Sequence, residues 1–421
     1  YEDRGLDYPI GYVRWTQQRN MSAILGLQAR GRLTFADLID DVVPVADAAD
    51  AYGRLVGEPE LRPKGALVLS YGAEEEPFRS PAPSRVSRLR PAASKTAGQP
   101  RVGLIGPGAF ATSVIVPALT AAGAKLELVG GGSGPSAIAA QRDFGFVRVA
   151  ASEQALVSDP DLDAVVIATR HGTHAQLARE ALEHGKHVFV EKPLALTVED
   201  VHSVIEAAAA SSGILAVGFN RRFSPLFVRL RDHLRHTGGP LTASFRVSAG
   251  SIPSKHWVHD LAEGGGRALG EVCHFVDTLA ALTGSNVTEV HAIGYGDPEL
   301  PAQAHDNLAI TLRFADGSVG TIVYVSHGSP GVGKERLEAF SGSRTGILDD
   351  FVGLQLFDGG AVSEERLKLP DKGHRAELAA FVDGIRRGVE PVPLAEVENV
   401  SIATIGVVES LRSGRPVGVG S

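Results

Sequence analysis

Cysteine is nearly absent. Cys273 is the one thiol in 421 residues, which excludes an intrachain disulfide framework and any zinc site built on several thiolates and fits a reducing, cytoplasmic setting. No run of about 18 apolar residues occurs, so no membrane-spanning helix is expected. Positive charge is in deficit. There are 41 Lys and Arg against 49 Asp and Glu, a net charge of −8, which argues against nucleic acid or an anionic membrane as partner. The chain opens at Tyr1, in polar sequence and without Met, and the expectation is a piece or processed product of a longer protein. What is plentiful is glycine, 49 residues, pointing to tight turns and close backbone approaches. The length exceeds one ordinary core, so two or three domains are expected.

Residues 74–100, "EEEPFRSPAPSRVSRLRPAASKTAGQP", lack apolar periodicity and read as a linker. Before it, "TQQRNMSAILGLQARG" places Met21, Ile24, Leu25 and Leu27 at helical spacing. "VADAADAYGRLV" reads as a second helix and "GALVLSY" as a strand. Residues 1–73 are too few elements for an independent core.

After the linker, short apolar runs alternate with helical segments. "RVGLIG", "KLELVGG", "DAVVIAT", "HVFVEKP" and "ILAVGFN" are the strands, which predicts a parallel, doubly wound α/β sheet over residues 101–222. From about Pro240 the pattern changes. "LTASFRVSAG", "VTEVHAIGYG", "NLAITLRF", "SVGTIVYVSHG", "ERLEAFSG" and "GLQLFDG" follow one another with few helices between them, "ADGS" joining two as a hairpin. Residues 223–421 are therefore expected to form an α+β domain on an open, mostly antiparallel sheet, closed by two helices.

The turn after the first strand of the parallel half is Gly106-Pro107-Gly108-Ala109-Phe110-Ala111. This G-x-G-x-x-A spacing at a strand-to-helix turn is that of a dinucleotide site. Gly106 makes the turn, Gly108 admits the pyrophosphate, Ala111 packs helix on strand, and the helix N-terminus faces the anion. The carboxylate expected for the adenosine ribose has no obvious counterpart. Glu127 lies inside its strand, and Ser133 takes the ribose position in "GGGSG", so NAD and NADP both stay open. In such a sheet ligands bind beyond the carboxyl ends of the strands. Glu191 and Lys192 stand at one such end, Thr169 and His174 at another. An amine beside a carboxylate at that place can pass protons or hold a substrate hydroxyl.

The stretches "GPGAFA", "VVIATRHGTHA", "GKHVFVEKPLALT", "GFNRRFSP" and "GGGRALGEVCHFVD" resemble the Gfo/Idh/MocA oxidoreductases over roughly residues 100–415. The variants "ATRHGTHA" and "GGGRALGEVCHF" more nearly resemble the second half of bacterial bi-domain oxidoreductases, often linked to surface polysaccharide synthesis. Residues 1–73 are similar to the tail of a zinc-type, medium-chain alcohol dehydrogenase, without its glycine loop or metal ligands. The resemblance implies that Lys192 binds the reacting hydroxyl, with Glu191 beside it and Thr169 and His174 lining the nicotinamide side. Asn220 follows on the loop after the next strand, and His274 is the general base. The family aspartate of D-x-x-x-H falls on Gly270, and Glu271, one position later, is the candidate to orient His274. Trp257 is a candidate to stack on a sugar ring. Arg221, Arg222 and Arg267 are candidates to grip a phosphate or carboxylate of a sugar nucleotide. No metal site is expected.

Three functions follow. The first is an NAD(P)-dependent oxidoreductase on a sugar, cyclic polyol or sugar nucleotide, a dimer or tetramer through its open sheet. The second is an NAD-dependent glycosidase or eliminase working by transient oxidation. The third is a nucleotide-binding scaffold.

Overall fold

A computed structural model describes residues 98–132, 134–235, 238–253, 255–295, 301–329 and 331–420, and before them 24–25, 27–28, 32–34, 38–56 and 65–70. Two compact units, Tyr1–Arg88 and Leu89–Ser421, are described separately.

In the first unit β1 (Ile39–Pro44) and β2 (Ala66–Ser70) pair in parallel, with the helix Ala48–Val56 between them in sequence. β1 is a strand the sequence reading does not anticipate, because "IDDVVP" carries two acids after its first residue and exposes all but Val43. The expected linker lies outside the described residues, apart from its last three.

The second unit starts with six strands: β3 (Arg101–Ile105), β4 (Lys125–Gly130), β5 (Arg148–Val149), β6 (Ala164–Ile167), β7 (His187–Val190) and β8 (Leu215–Val217). They form one parallel sheet in the order β5-β4-β3-β6-β7-β8. The order reverses between β3 and β6, which opens a crevice beyond their carboxyl ends. Every residue of β6 is buried, and so are the last three of β7, as continuous apolar strands covered on both faces require. The helix after β3 carries a π-turn over Ala111–Ile115, where the N–H of Val116 reaches back five residues to Ala111 O. Pro117 is the physical cause. It has no N–H for the carbonyl four residues back, and its ring crowds that carbonyl, so the helix widens by one residue. Thr197 caps the helix Val198–Ala210 by accepting from Asp200 N at 3.1 Å, fixing where the chain turns after the Glu191-Lys192-Pro193 corner.

The remaining strands are β9 (Thr242–Ser248), β10 (Val287–Gly294), β11 (Leu308–Phe314), β12 (Val319–Val325), β13 (Glu335–Ser341), β14 (Arg344–Asp349), β15 (Gly353–Asp358), β16 (Ala361–Arg366) and β17 (Val417–Gly418). Their order is β16-β15-β14-β13-β9-β12-β11-β10-β17, antiparallel throughout except for the parallel pair β9–β12. The expected hairpin stands, Phe314 N donating to Ser318 O across "ADGS". β14, β16 and the helix Pro225–Arg235 are additions to the sequence reading. β16, "AVSEER", is a polar edge strand with five of six residues exposed, and β14 carries Gly346. A Cβ there would stand 2.1 Å from Leu230 Cδ1, so the glycine lets that helix settle on the sheet. On the opposite face Ile293, Val323 and Phe340 are exposed.

Candidate active site

Side chains from both halves of the second unit converge where the strand order reverses. From the carboxyl ends of the parallel strands come Phe110, Ala168, Thr169, Glu191, Lys192, Asn220 and Arg221, with His171 and His174 just beyond β6. The second half supplies Trp257, His274, Lys372 and His374 around a cleft of about 340 Å³.

The glycine turn has the shape a pyrophosphate needs. Gly106 has φ +84°, and a Cβ on it would meet Ala168 O at 2.6 Å, so only glycine fits there. A Cβ on Gly108 would meet nothing within 4 Å, leaving open space above the loop. Phe110 carries the loop into the cleft, its ring centroid 5.8 Å from that of His374. Ser133 lies outside the described residues. A carboxylate reaches the end of β4 from another element: Glu153 Oε1 lies 2.9 Å from where a Cβ on Gly131 would stand.

Glu191 Oε2 accepts from Lys192 N at 3.3 Å. It has room because the facing residue is Gly218, whose Cβ would stand 2.9 Å from that oxygen. Burial pushes the Glu191 carboxyl up to about 7, against the pull of the Lys192 charge. Lys192 Nζ donates to Gly270 O at 2.7 Å. Its stem crosses from the nucleotide half to the substrate half. His174 is a tie as well as a lining residue. Its Nδ1 lies 2.8 Å from Pro193 O and its Nε2 3.2 Å from Thr169 O, joining the ends of β6 and β7.

His274 sits in the first turn of the helix Cys273–Thr283, with Nδ1 buried and without a hydrogen bond among the described residues. Burial, then the charges of Arg221 and Lys192, hold it well below the usual imidazole range. Glu271 does not orient it. The Glu271 carboxylate instead accepts from Arg267 Nε at 3.0 Å. Arg267, expected to grip a substrate anion, does not line the cleft. It is 1% exposed, donates to Gly250 O at 2.8 Å and faces the Tyr324 ring. Arg222 likewise misses the cleft. Asp277 and Glu396 take it up at 2.5 and 3.0 Å, tying the helix Cys273–Thr283 to the helix Leu394–Ser413. The arginine that does line the cleft is Arg221, bonded to Glu335 at 2.7 and 2.9 Å. Burial alone would raise the Glu335 carboxyl, but Arg221 and Lys372 outweigh it and hold it down at about 2. Asn220 Nδ2 donates to Lys372 O at 2.7 Å. Lys372, His374 and His171 are lining residues the sequence reading omits. The signal for His171 was the first histidine in "RHGTHA", three residues before His174; Lys372 and His374, in "DKGHRAEL", carry no motif.

Among the described residues no group of three or more His, Cys, Asp or Glu is arranged to hold a metal ion, and no helix is long and apolar enough to cross a membrane.

Residues 100–219 match the NAD-binding Rossmann-fold model of the oxidoreductase family, and residues 236–342 match the GFO/IDH/MocA C-terminal domain. Inositol 2-dehydrogenase 2 of Paenarthrobacter aurescens is 30% identical over 331 residues, 74% of this chain and 96% of that protein. The chain belongs to the Gfo/Idh/MocA oxidoreductase family. Myo-inositol 2-dehydrogenase of Thermotoga maritima is 32% identical over 200 residues, 47% of this chain and 59% of that relative. The aligned region spans 50% of another curated relative. Levoglucosan dehydrogenase solved with NADH and levoglucosan superposes with a TM-score of 0.68 at 22% identity, covering 77% of this chain and all of that one, which is a likeness of fold. Family membership accounts for the pairing of a parallel nucleotide sheet with an open antiparallel one.

Proposed function

We propose that this protein is an NAD-dependent oxidoreductase that moves hydride between the nicotinamide and a hydroxyl-bearing carbon of a sugar or cyclic polyol. The observation that carries the reading is the sharing of one cleft by Phe110 of the glycine turn, Lys192 at a strand end and His274 of the opposite domain. The fit of the dinucleotide rests on Gly106 and Gly108. The relatives named for inositol and levoglucosan point to the substrate class.

The bound cofactor supplies the hydride acceptor or donor at its nicotinamide. Lys192, pinned by Gly270 O, directs its remaining N–H donors at the oxygen of the reacting carbon and stabilises the charge that develops there. Glu191, titrating near neutrality beside it, is the group able to exchange that proton. His274 enters neutral, with one ring nitrogen sealed from solvent, and takes a hydrogen bond from the substrate. Asn220 and Trp257 shape the sugar side. Glu153 accepts from the adenosine ribose and disfavours a 2′-phosphate, so Glu153→Gln is expected to narrow the preference for NAD over NADP in a binding titration.

Lys192→Ala tests the reading. Turnover on a panel of inositols and anhydro sugars should fall by about 10²–10⁴-fold, while NADH affinity, read by nicotinamide fluorescence, stays within about threefold. A variant as active as the wild type would remove Lys192 from the chemistry.

Further parts of the proposal concern setting. The parallel β1–helix–β2 arrangement supports residues 1–73 as the tail of an alcohol-dehydrogenase module, joined through 74–100 to a nucleotide domain (101–222) and a substrate domain (223–421). Use of a sugar nucleotide in polysaccharide synthesis, a cytoplasmic location, and a dimer or tetramer through the exposed face bearing Ile293, Val323 and Phe340 belong to the same reading.

A further inference from the structure

Gly270 stands where two side chains of the nucleotide half cross. Its carbonyl takes the Lys192 hydrogen bond at 2.7 Å. Its Cα faces His171: a Cβ built on Gly270 would lie 2.6 Å from His171 Cε1, 3.2 Å from Nδ1 and 3.7 Å from Nε2. Gly270 is helical, so its backbone has no need of glycine. The ring of His171 has, because it fills the volume into which any side chain at 270 would project.

The hydrogen-bonding state of that ring follows from its partners. Nδ1 lies 2.7 Å from Gly264 O, and a carbonyl only accepts, so Nδ1 carries the hydrogen. Burial, then the Lys192 and His174 charges, push the imidazole down to about 3. At neutral pH a second proton is therefore absent, and Nε2 presents a lone pair. No described residue hydrogen-bonds Nε2, and the ring lines the cleft. Trp257, edge-on with ring centroids 4.8 Å apart, and His174 at 5.6 Å hold the ring in place.

The cleft thus sets a fixed acceptor beside the fixed donor Lys192, both positioned by Gly270. An ether or carbonyl oxygen gains nothing from an acceptor; a hydroxyl hydrogen does. We propose that His171 Nε2 accepts a hydrogen bond from a second substrate hydroxyl, on the carbon next to the one Lys192 addresses, so that the site selects vicinal diols. This rests on the reading of the cleft as a sugar or polyol site. His171 is a binding residue and removes no proton, since an imidazole so hard to protonate is too weak a base for an alcohol near neutral pH.

The test uses the NAD-loaded protein with a cyclic polyol and the analogue deoxygenated at the neighbouring carbon. Wild type should favour the diol by about 10–100-fold in kcat/KM, as one neutral hydrogen bond to a buried partner allows. His171→Phe, which keeps a ring against Trp257, should collapse that ratio to within about threefold, through the diol alone, with NADH affinity and the pH profile unchanged. Gly270→Ala, which keeps the imidazole but displaces it, should shift the ratio the same way and guards against a misfolded first variant. Equal losses on both substrates, or loss of an inflection in the pH profile, would overturn the assignment while leaving the oxidoreductase reading intact. If wild type binds NADH yet neither binds nor turns over any polyol, the reading of the cleft fails and this assignment with it.

Discussion

At the scale of single residues, the cleft is defined by groups whose charge is set by burial. Glu191 is the clearest. Its folded pKa, about 7, lies above the 4.5 of a free glutamate, so the native state holds its proton more tightly. The stability that proton contributes is fully present below pH 4.5 and is lost as pH rises through 7. Glu191→Gln removes the dependence. We expect it to gain on wild type by up to about 3 kcal/mol between pH 5 and 8.5, read by urea unfolding at both pH values; a gap that does not change with pH would show that Glu191 is charged throughout. Lys192 and His274 share the same cleft, but nothing in the structure supports the expectation that Glu271 orients His274, because Arg267 takes that carboxylate.

At the scale of elements, ion pairs tie together segments that lie far apart in sequence. Arg222 links Asp277, 55 residues on, and Glu396, 174 residues on. Asp277→Ala would leave the guanidinium buried with only the more exposed Glu396. It should destabilise by about 3–5 kcal/mol, read by thermal unfolding, whereas Arg222→Met with Asp277→Leu should recover most of the loss. These separations explain what the sequence conveyed. The glycine turn and the Glu191-Lys192 corner were legible because each is a local pattern tied to one strand end. Phe110, Thr169, His174, Asn220 and Trp257 came with them. Which arginine of "NRRF" faces the cleft was not legible, since it depends on Glu335 and Asp277 arriving from other elements. His171 was passed over for a similar reason. Its place is decided by the absence of a side chain at Gly270, 99 residues later in the chain. β14 and β16 escaped because a glycine interrupts one and charge fills the other.

For the whole molecule, two opposed titrations bound the stable range. His171 and His374 are held down at about 3 and about 4, chiefly by burial. The stability their neutral forms contribute is present above pH 6.5 and is lost as pH falls through their folded values. Glu191 acts in the other direction. Unfolding midpoints should therefore drop steeply below about pH 5, and His374→Gln should soften that drop. A flat profile down to pH 4 would contradict the burial of these rings. The exposed sheet face makes a separate prediction: if the proposed dimer or tetramer forms through it, Val323→Asp should shift the mass read by light scattering to that of one chain, while an oligomer whose mass the substitution leaves unchanged would place the contact elsewhere. The most direct test of the central claim, that Lys192 and a nicotinamide address one substrate carbon, is transfer of a label. The protein would be incubated with NAD and a cyclic polyol deuterated at its ring carbons, and the nicotinamide examined by mass spectrometry. The account predicts deuterium on the reduced cofactor with wild type and little or none with Lys192→Ala; wild type that binds NAD but transfers no deuterium from any polyol or sugar tried would contradict it.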